Sequence, residues 1–268
     1  MASVFDPTQE TKIKVPKRET DQTLVERCRR ARRDRGLAVL EGFHALKHAL
    51  RFGAEIDGVY SAEPEKLINL AQALASDVAD DLESLVERVP SDVFSNLTPN
   101  APETGVLTLA RRPSHEADHL LSCSKMAPMV LLEAPAHLGN VGAVIRVAAA
   151  AGAAAVITTG RHDPWDPAAL RGSAGLHFAQ PVVRLSELPN LDRPLLAIDP
   201  EGDEIDPLTL PSNAVLAFGS ERHGLSEALL ERADKRLAIP MEARVSSLNL
   251  ATAVAITLYA WRLGKRNS

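Results

Sequence analysis

The chain has 268 residues, 45% of them hydrophobic and only 4% aromatic, with a formal net charge of −5. That length suffices for one large or two small domains, and a mildly acidic total at first argues against a nucleic-acid partner, although the distribution of charge matters more than its sum. No apolar run is long enough to span a bilayer, the first residues lack a charged-then-apolar leader pattern, and Cys28 and Cys123 have no metal-ligand or disulfide-framework spacing, so a cytoplasmic protein with free thiols is expected.

Charge is unevenly placed along the chain. Between Lys12 and Arg35 lie Lys12, Lys14, Lys17, Arg18, Arg27, Arg29, Arg30, Arg32, Arg33 and Arg35, opposed only by Glu19, Asp21, Glu26 and Asp34. Residues 1–36 read as a basic arm, partly helical over Thr23 to Arg35, that either attracts phosphate backbones or is a solvated charged segment without a partner. Leu37 to Leu40 is a short strand, followed by Glu41-Gly42 and a helix from Phe43 to Phe52 that Gly53 closes. A strand from Ile56 to Tyr60, a helix from Pro64 to Ala79, a strand from Leu85 to Val89, a short helix capped by Ser91 and a strand from Gly105 to Ala110 complete a small α/β unit over 37–112. Residues 113–127 are polar and read as a linker. Its His115 and His119, four apart, lack further ligands for a metal.

The second half, 128–268, alternates strands and helices. Strands are expected at Met129 to Glu133, Ala155 to Thr158, Val182-Val183, Leu195 to Ile198, Ala214 to Phe218 and Leu237 to Ile239. Helices are expected at Val141 to Ala151, Pro167 to Arg171, Glu227 to Arg232 and from Leu250 onward. Such alternation implies a mostly parallel sheet covered on both faces. Asp163-Pro164-Trp165-Asp166-Pro167 reads as a turn before a short helix.

Three strand–loop–helix corners carry candidate chemistry, because open α/β sheets hold ligands at such corners. In Asn140-Val141-Gly142-Ala143-Val144-Ile145-Arg146, Asn140 is a good N-cap. Gly142 and Arg146 share a helix face, and Arg146 leans back over the bare Gly142 toward the helix N-terminus, a geometry suited to a phosphate or carboxylate. In Phe218-Gly219-Ser220-Glu221-Arg222-His223-Gly224-Leu225-Ser226, an apolar strand enters a glycine-bracketed loop from which Glu221 projects, and Ser226 caps the next helix. In Ile239-Pro240-Met241 to Ser246-Ser247-Leu248-Asn249, Pro240 ends a strand and small polar residues cap a helix carrying Leu250, Val254, Leu258 and Trp261 at helical spacing. The second loop lacks the G-x-G-x-x-G spacing of a dinucleotide fold and the Lys-Ser/Thr of a P-loop, which weakens nucleotide hydrolysis and hydride transfer. Alone, each corner is compatible with an ordinary capped helix or tight turn.

Their order is specific. Asn-x-Gly-x-x-x-Arg, then Gly-x-Glu-x-x-Gly, then Ile-Pro-Met with Ser-Leu-Asn resembles the SpoU/TrmH family of RNA ribose 2′-O-methyltransferases, of the knotted SPOUT class, over about Met129 to Arg262. The first half is similar to the ribosomal-protein-like substrate-binding domain often fused to these enzymes, through Leu40-Glu41-Gly42-Phe43 and Gly105-Val106-Leu107. The two-domain plan is similar to that of the thiostrepton-resistance methyltransferases. The resemblance implies an α/β fold, with a C-terminal knotted domain of mostly parallel sheet after a small α/β domain that binds substrate RNA. It implies a trefoil knot, a homodimer, and S-adenosylmethionine held near Gly219, Ile239, Met241 and Leu248, with no metal and no membrane.

By the same resemblance, Asn140, Arg146, Glu221, Ser247 and Asn249 fall on functional positions. Ala251 departs from a serine common there. Arginine stays protonated in nearly all settings, so Arg146 is expected to fix a phosphate and stabilise oxyanion charge, with the general base left open. Glu221 is expected to orient Arg146 or the loop, and Asn140, Ser247 and Asn249 to hold the ribose and the loop. Arg27, Arg30 and Arg33 are expected RNA contacts, with ribosomal RNA the substrate in preference to transfer RNA. The competing reading is a non-catalytic RNA-binding or ribosome-assembly protein on the same fold.

Overall fold

A computed structural model describes residues 20–115, 120 and 125–265. In the first half, β1 (Leu37–Glu41), β2 (Ile56–Ser61), β3 (Val86–Arg88) and β4 (Val106–Arg111) form a mixed sheet in the order β1-β4-β2-β3. The helices α1 (Asp21–Ala31), α2 (Phe43–Arg51), α3 (Pro64–Leu74), α4 (Ala79–Leu85) and α5 (Ser91–Leu97) cover it. The expected helix from Pro64 to Ala79 is broken at Ala75, where the backbone turns extended before a short 3₁₀ turn at Ser76–Val78. Ser91 is the first residue of α5 and not its cap, a position taken by Pro90.

The basic arm is corrected over its described part. α1 buries Leu24, Cys28 and Ala31 in the same cluster as Phe94, Leu97 and Leu109, so the thin apolar face docks on the first sheet. Its polar side keeps Arg29 and Arg30 exposed, as is Arg33 in the turn that follows. Arg27 is turned inward: its guanidinium donates to the Tyr60 hydroxyl at 3.0 Å and to Asp57 Oδ2 at 2.8 Å. It holds α1 to β2, and the expected phosphate contact is not available to it in this position. Lys12, Lys14, Lys17 and Arg18 lie outside the described residues, as do His119 and Cys123.

The second half forms an all-parallel sheet in the order β10-β8-β9-β5-β6-β7, from β5 (Met129–Leu132), β6 (Ala155–Thr158), β7 (Val182–Arg184), β8 (Leu195–Glu204), β9 (Val215–Phe218) and β10 (Lys235–Ala238). Both faces of the inner strands are covered, so β5, β6 and β9 are buried along their whole length. The covering helices are α6 (Leu138–Ala151), α7 (Pro167–Gly172), α8 (Glu227–Arg232) and α9 (Leu250–Gly264). Asp166 caps α7 and Ser226 caps α8 through their side-chain oxygens.

The two halves share one core. Ala38 and Leu40 of β1 and Ala45 and Ala49 of α2 belong to the same apolar cluster as the parallel sheet, and Leu120 between the halves is buried in it. Polar ties reinforce the seam. Glu41 is buried and accepts from Thr98 at 2.7 Å, from Arg32 at 2.8 Å and from Arg171 of α7. Burial alone would raise this carboxyl, but Thr98, Arg32 and Arg171 outweigh it and hold it below the usual range. His48 meets the Ala174 carbonyl at 2.7 Å, and Arg112 pairs with Asp163 at 2.6 Å. No described helix is long and apolar enough to cross a membrane.

Candidate active site

The carboxyl ends of the parallel strands are where loops can converge on a ligand. After β5 the chain runs through Glu133 to His137 and enters α6. After β9 it forms the loop from Gly219 to Leu225, closed by a bridge between Ser220 and Gly224. After β10 it runs through Ile239 to Asn249 into α9. These three segments meet over a cleft of about 640 Å³.

Glycine is required at two points of the middle loop. A Cβ on Gly219 would stand 2.0 Å from the Gly224 carbonyl carbon, and Gly224 has φ +66°. This tight closure lifts Glu221 toward α6. Glu221 Oε1 accepts from Asn140 Nδ2 at 2.7 Å, and its Oε2 from the Ala136 amide at 2.8 Å. Asn249 Nδ2 in turn donates to Asn140 Oδ1 at 3.2 Å. Asn140 is therefore the bridge between the second and third corners. Burial would raise the Glu221 carboxyl, but hydrogen bonds from Asn140 and from the Ala136 and His137 amides prevail and hold it low, so it is an anion at neutral pH.

Of the nine candidate residues, Asn140, Gly219, Glu221, Ile239, Met241, Ser247, Leu248 and Asn249 line this cleft. Arg146 does not. It is exposed and makes no hydrogen bond or ion pair among the described residues. Six residues beyond Asn140, it stands about 9 Å further along the helix axis.

Two local expectations are corrected. α6 starts at Leu138 with His137 at the N-cap, so Asn140 lies inside the first turn, where its amide is free to reach Glu221. Gly142 is not a clearance for Arg146: a Cβ there would stand 2.3 Å from the Ala169 carbonyl oxygen and 2.8 Å from Gly172 Cα. The glycine admits α7 against α6. Glu221 thus ties Asn140 to the loop, and no hydrogen bond or ion pair joins it to Arg146 among the described residues. The cap expected at Ser246 to Asn249 is Asn249, whose Oδ1 accepts from the Ala251 and Thr252 amides.

Some lining residues escaped the sequence reading. Ile198, Asp199 and Pro200 reach the cleft because β8 pairs with β10 in two registers, Arg236 opposite Ala197 and Leu237 opposite Asp203, so the stretch between bulges out. Asp-Pro-Glu-Gly at 199–202 is a turn signal inside an apolar run and could have revealed it. His137 and Arg222 also line the cleft. No metal-binding group of His, Cys, Asp or Glu occurs among the described residues.

Comparison with known proteins bears on this site directly. The model of the SpoU rRNA Methylase family matches residues 127–259, the segment that holds all three corners. Over 247 residues the chain is 30% identical to an uncharacterized tRNA/rRNA methyltransferase of Synechocystis, covering 87% of this chain and 86% of that protein. The chain belongs to the SpoU methylase family. Another relative is the 23S rRNA (guanosine(2553)-2′-O)-methyltransferase RlmP of Bacillus subtilis, 29% identical over 84% of this chain and 88% of its own length. Among solved structures, the SpoU methyltransferase AviRb of Streptomyces viridochromogenes in complex with AdoMet superposes with a TM-score of 0.72 at 25% identity, over 94% of this chain and 99% of that one. The likeness spans both halves, so the first domain belongs to the shared plan.

Proposed function

We infer that this SpoU methylase transfers a methyl group from S-adenosylmethionine to a ribose 2′-hydroxyl of ribosomal RNA. One observation carries the reading: three corners separated by up to 109 residues meet through the Glu221–Asn140–Asn249 hydrogen bonds in a single cleft. RlmP is named for 2′-O-methylation of a 23S rRNA guanosine, and AviRb was solved with AdoMet. The lining fits such a donor, since Ile239, Leu248 and Leu225 offer apolar walls to a purine and to the methylene groups beside the sulfonium, while Ser220 and Ser247 are polar.

When bound, S-adenosylmethionine supplies an electrophilic methyl group, so the protein mainly aligns the two partners. We assign Gly219, Ile239, Met241 and Leu248 to holding it. Asn140, Ser247 and Asn249 orient the ribose, and Glu221 fixes Asn140. The loop after β9 and the segment from Ile239 to Asn249 are the parts of the chain expected to build the trefoil knot. RNA lies across the first domain and the cleft, with Arg30 of α1 and Arg33 of the turn after it contacting phosphates. Ribosomal RNA as substrate makes the enzyme cytoplasmic.

Arg146 fits this scheme through a homodimer. It shares the outer face of α6 with Ala143, Val147 and Ala150, and α6 packs on α9, whose Ile256, Tyr259 and Leu263 are exposed. A second copy packed on that face brings Arg146 to the neighbouring cleft, where a guanidinium can hold the phosphate beside the target ribose.

The test is methyl transfer to ribosomal RNA in vitro, with mapping of 2′-O-methylated nucleotides in cells with and without the gene. Loss of one nucleotide's methylation is expected. Arg146→Ala should cut transfer by about 10²-fold or more with S-adenosylmethionine affinity retained by calorimetry. Undiminished turnover removes Arg146 from the reaction, and RNA binding without any transfer favours the non-catalytic alternative.

A further inference from the structure

We propose that His137 is the general base that takes the proton of the ribose 2′-hydroxyl. The proposal rests on the methyl-transfer reading above and supplies the group which that reading leaves open. In the transfer, an O–CH₃ bond forms as the S–CH₃ bond of the sulfonium breaks, and the bonding pair stays on sulfur as a neutral thioether. The hydroxyl proton must leave as well. A positioned acceptor that titrates near the working pH is the efficient recipient, and histidine is the side chain whose ordinary range lies there.

Four titratable side chains line the cleft: His137, Asp199, Glu221 and Arg222. Three are unsuited. Glu221 has one oxygen on Asn140 and the other on the Ala136 amide, and these bonds weaken it as a base. Asp199 accepts from Arg236 at 2.7 Å and from the Glu201 amide at 3.0 Å. Arg222 is a guanidinium with no acceptor capacity. Asp199 from β8 and Glu221 and Arg222 from the loop after β9 are also the charged groups that share the cleft with His137. The segment 239–249 adds none to the lining.

His137 is different on each count. Its imidazole makes no hydrogen bond or ion pair among the described residues, and it does not cap α6 although it occupies the N-cap. Its backbone is nevertheless fixed. The His137 amide donates to Glu221, its carbonyl accepts from the Val141 amide at 3.1 Å, and the preceding amide is also bound to Glu221. An uncommitted imidazole thus stands on an anchored main chain three residues before Asn140, at the rim of the cleft. After transfer, the imidazolium passes its proton to solvent through its exposed side, and the base is restored for the next turnover.

The test uses the full-length protein, saturating S-adenosylmethionine and ribosomal RNA from cells lacking the gene. Single-turnover rates are measured from about pH 5.5 to about pH 9, across the imidazole range. The wild-type rate should rise with pH and level off. His137→Gln keeps polar atoms but cannot take the proton. Its rate should fall about 10²–10⁴-fold and lose that rise, with RNA and S-adenosylmethionine affinities, read by filter binding and calorimetry, within about twofold of wild type. His137→Ala should recover part of its rate in free imidazole. Equal rates and equal pH profiles in wild type and His137→Gln overturn the assignment of His137 alone. So does a variant whose whole deficit is weaker RNA binding with its rate at saturation intact. A wild type that methylates no RNA overturns the methyl-transfer reading and this proposal together.

Discussion

His177 shows how much the stretch from Pro164 to Ser173 depends on one neutral side chain. Its ring is fully buried, with Nδ1 2.8 Å from Ser173 Oγ and Nε2 2.7 Å from the Pro164 carbonyl oxygen, and it packs against Trp165 at 4.9 Å between centroids. Burial lowers its pKa to about 4, against the pull of the Pro164 carbonyl. An unfolded histidine titrates near 6.5. Between those values the unfolded chain binds a proton that the folded chain refuses, so stability falls as pH falls through this window. His48 and His115, also lowered by burial, act in the same sense. The carboxylates Glu41, Asp163 and Glu221 are depressed, so their contribution persists in this window and is lost only as pH falls below the ordinary carboxylate range. Comparison with His177→Gln isolates the one group. From pH 7 to pH 5 the wild type should lose on the order of 2 kcal/mol more unfolding free energy than the variant, measured by urea denaturation. Equal losses in both would mean that the imidazole takes up its proton without unfolding.

Among elements, the contact of α6 with α7 decides where both ends of the site lie. Gly142 was legible as special, but its reason was not: sequence shows a missing side chain and not the neighbour that needs the space. The start of α6 was hidden for a related reason, since His137-Leu138 carries no capping signal and Asn140 carries a strong one. The bulge of β8 was hidden because Leu195 to Ile198 already satisfies a strand, and pairing with β10 in a second register is non-local. By contrast the Gly219 to Gly224 loop and the Asn249 cap were legible, because backbone conformation and capping are local. The α6–α7 contact gives a direct check. Gly142→Ala sets a Cβ 2.3 Å from a backbone carbonyl oxygen, and backbone cannot swing aside as a side chain can. It should cost about 1–3 kcal/mol and displace α7, which carries Arg171 onto Glu41. Gly139→Ala, in the same helix with nothing within 4 Å of the added carbon, should be neutral or gain roughly 0.5–1 kcal/mol from helix propensity. Chemical denaturation of the two variants side by side measures the difference, and equal stability would remove the packing role assigned to Gly142.

At the scale of the molecule, the sequence reading separated an arm, a domain, a linker and a second domain, and the structure joins the described parts through one core. Ala38, Leu40, Ala45 and Ala49 fill that seam, and small apolar residues look alike in sequence whether they pack within a domain or between two. The same ambiguity surrounds α9. Its inner face buries Val254, Leu258 and Trp261, and its outer face leaves Ile256 and Tyr259 each 41% exposed and Leu263 54% exposed. A helix apolar on nearly all sides is normally covered on all sides, and α9 packs on α6, which carries the exposed Arg146. This argues for a second copy of the chain as the cover, and the consequence can be measured in two steps. Sedimentation equilibrium should give a dimer for the wild type and a monomer for the double variant Ile256→Lys, Tyr259→Lys, with far-ultraviolet circular dichroism unchanged. Mixing inactive Arg146→Ala protein with inactive Asn140→Ala protein should then restore transfer. In a mixed dimer one cleft keeps its own Asn140 and receives an intact Arg146 from across the interface, while the other cleft lacks both. Activity that stays at zero in a mixture proven to exchange subunits would show that Arg146 serves its own cleft, and a monomeric, fully active wild type would leave the apolar face of α9 to some other cover.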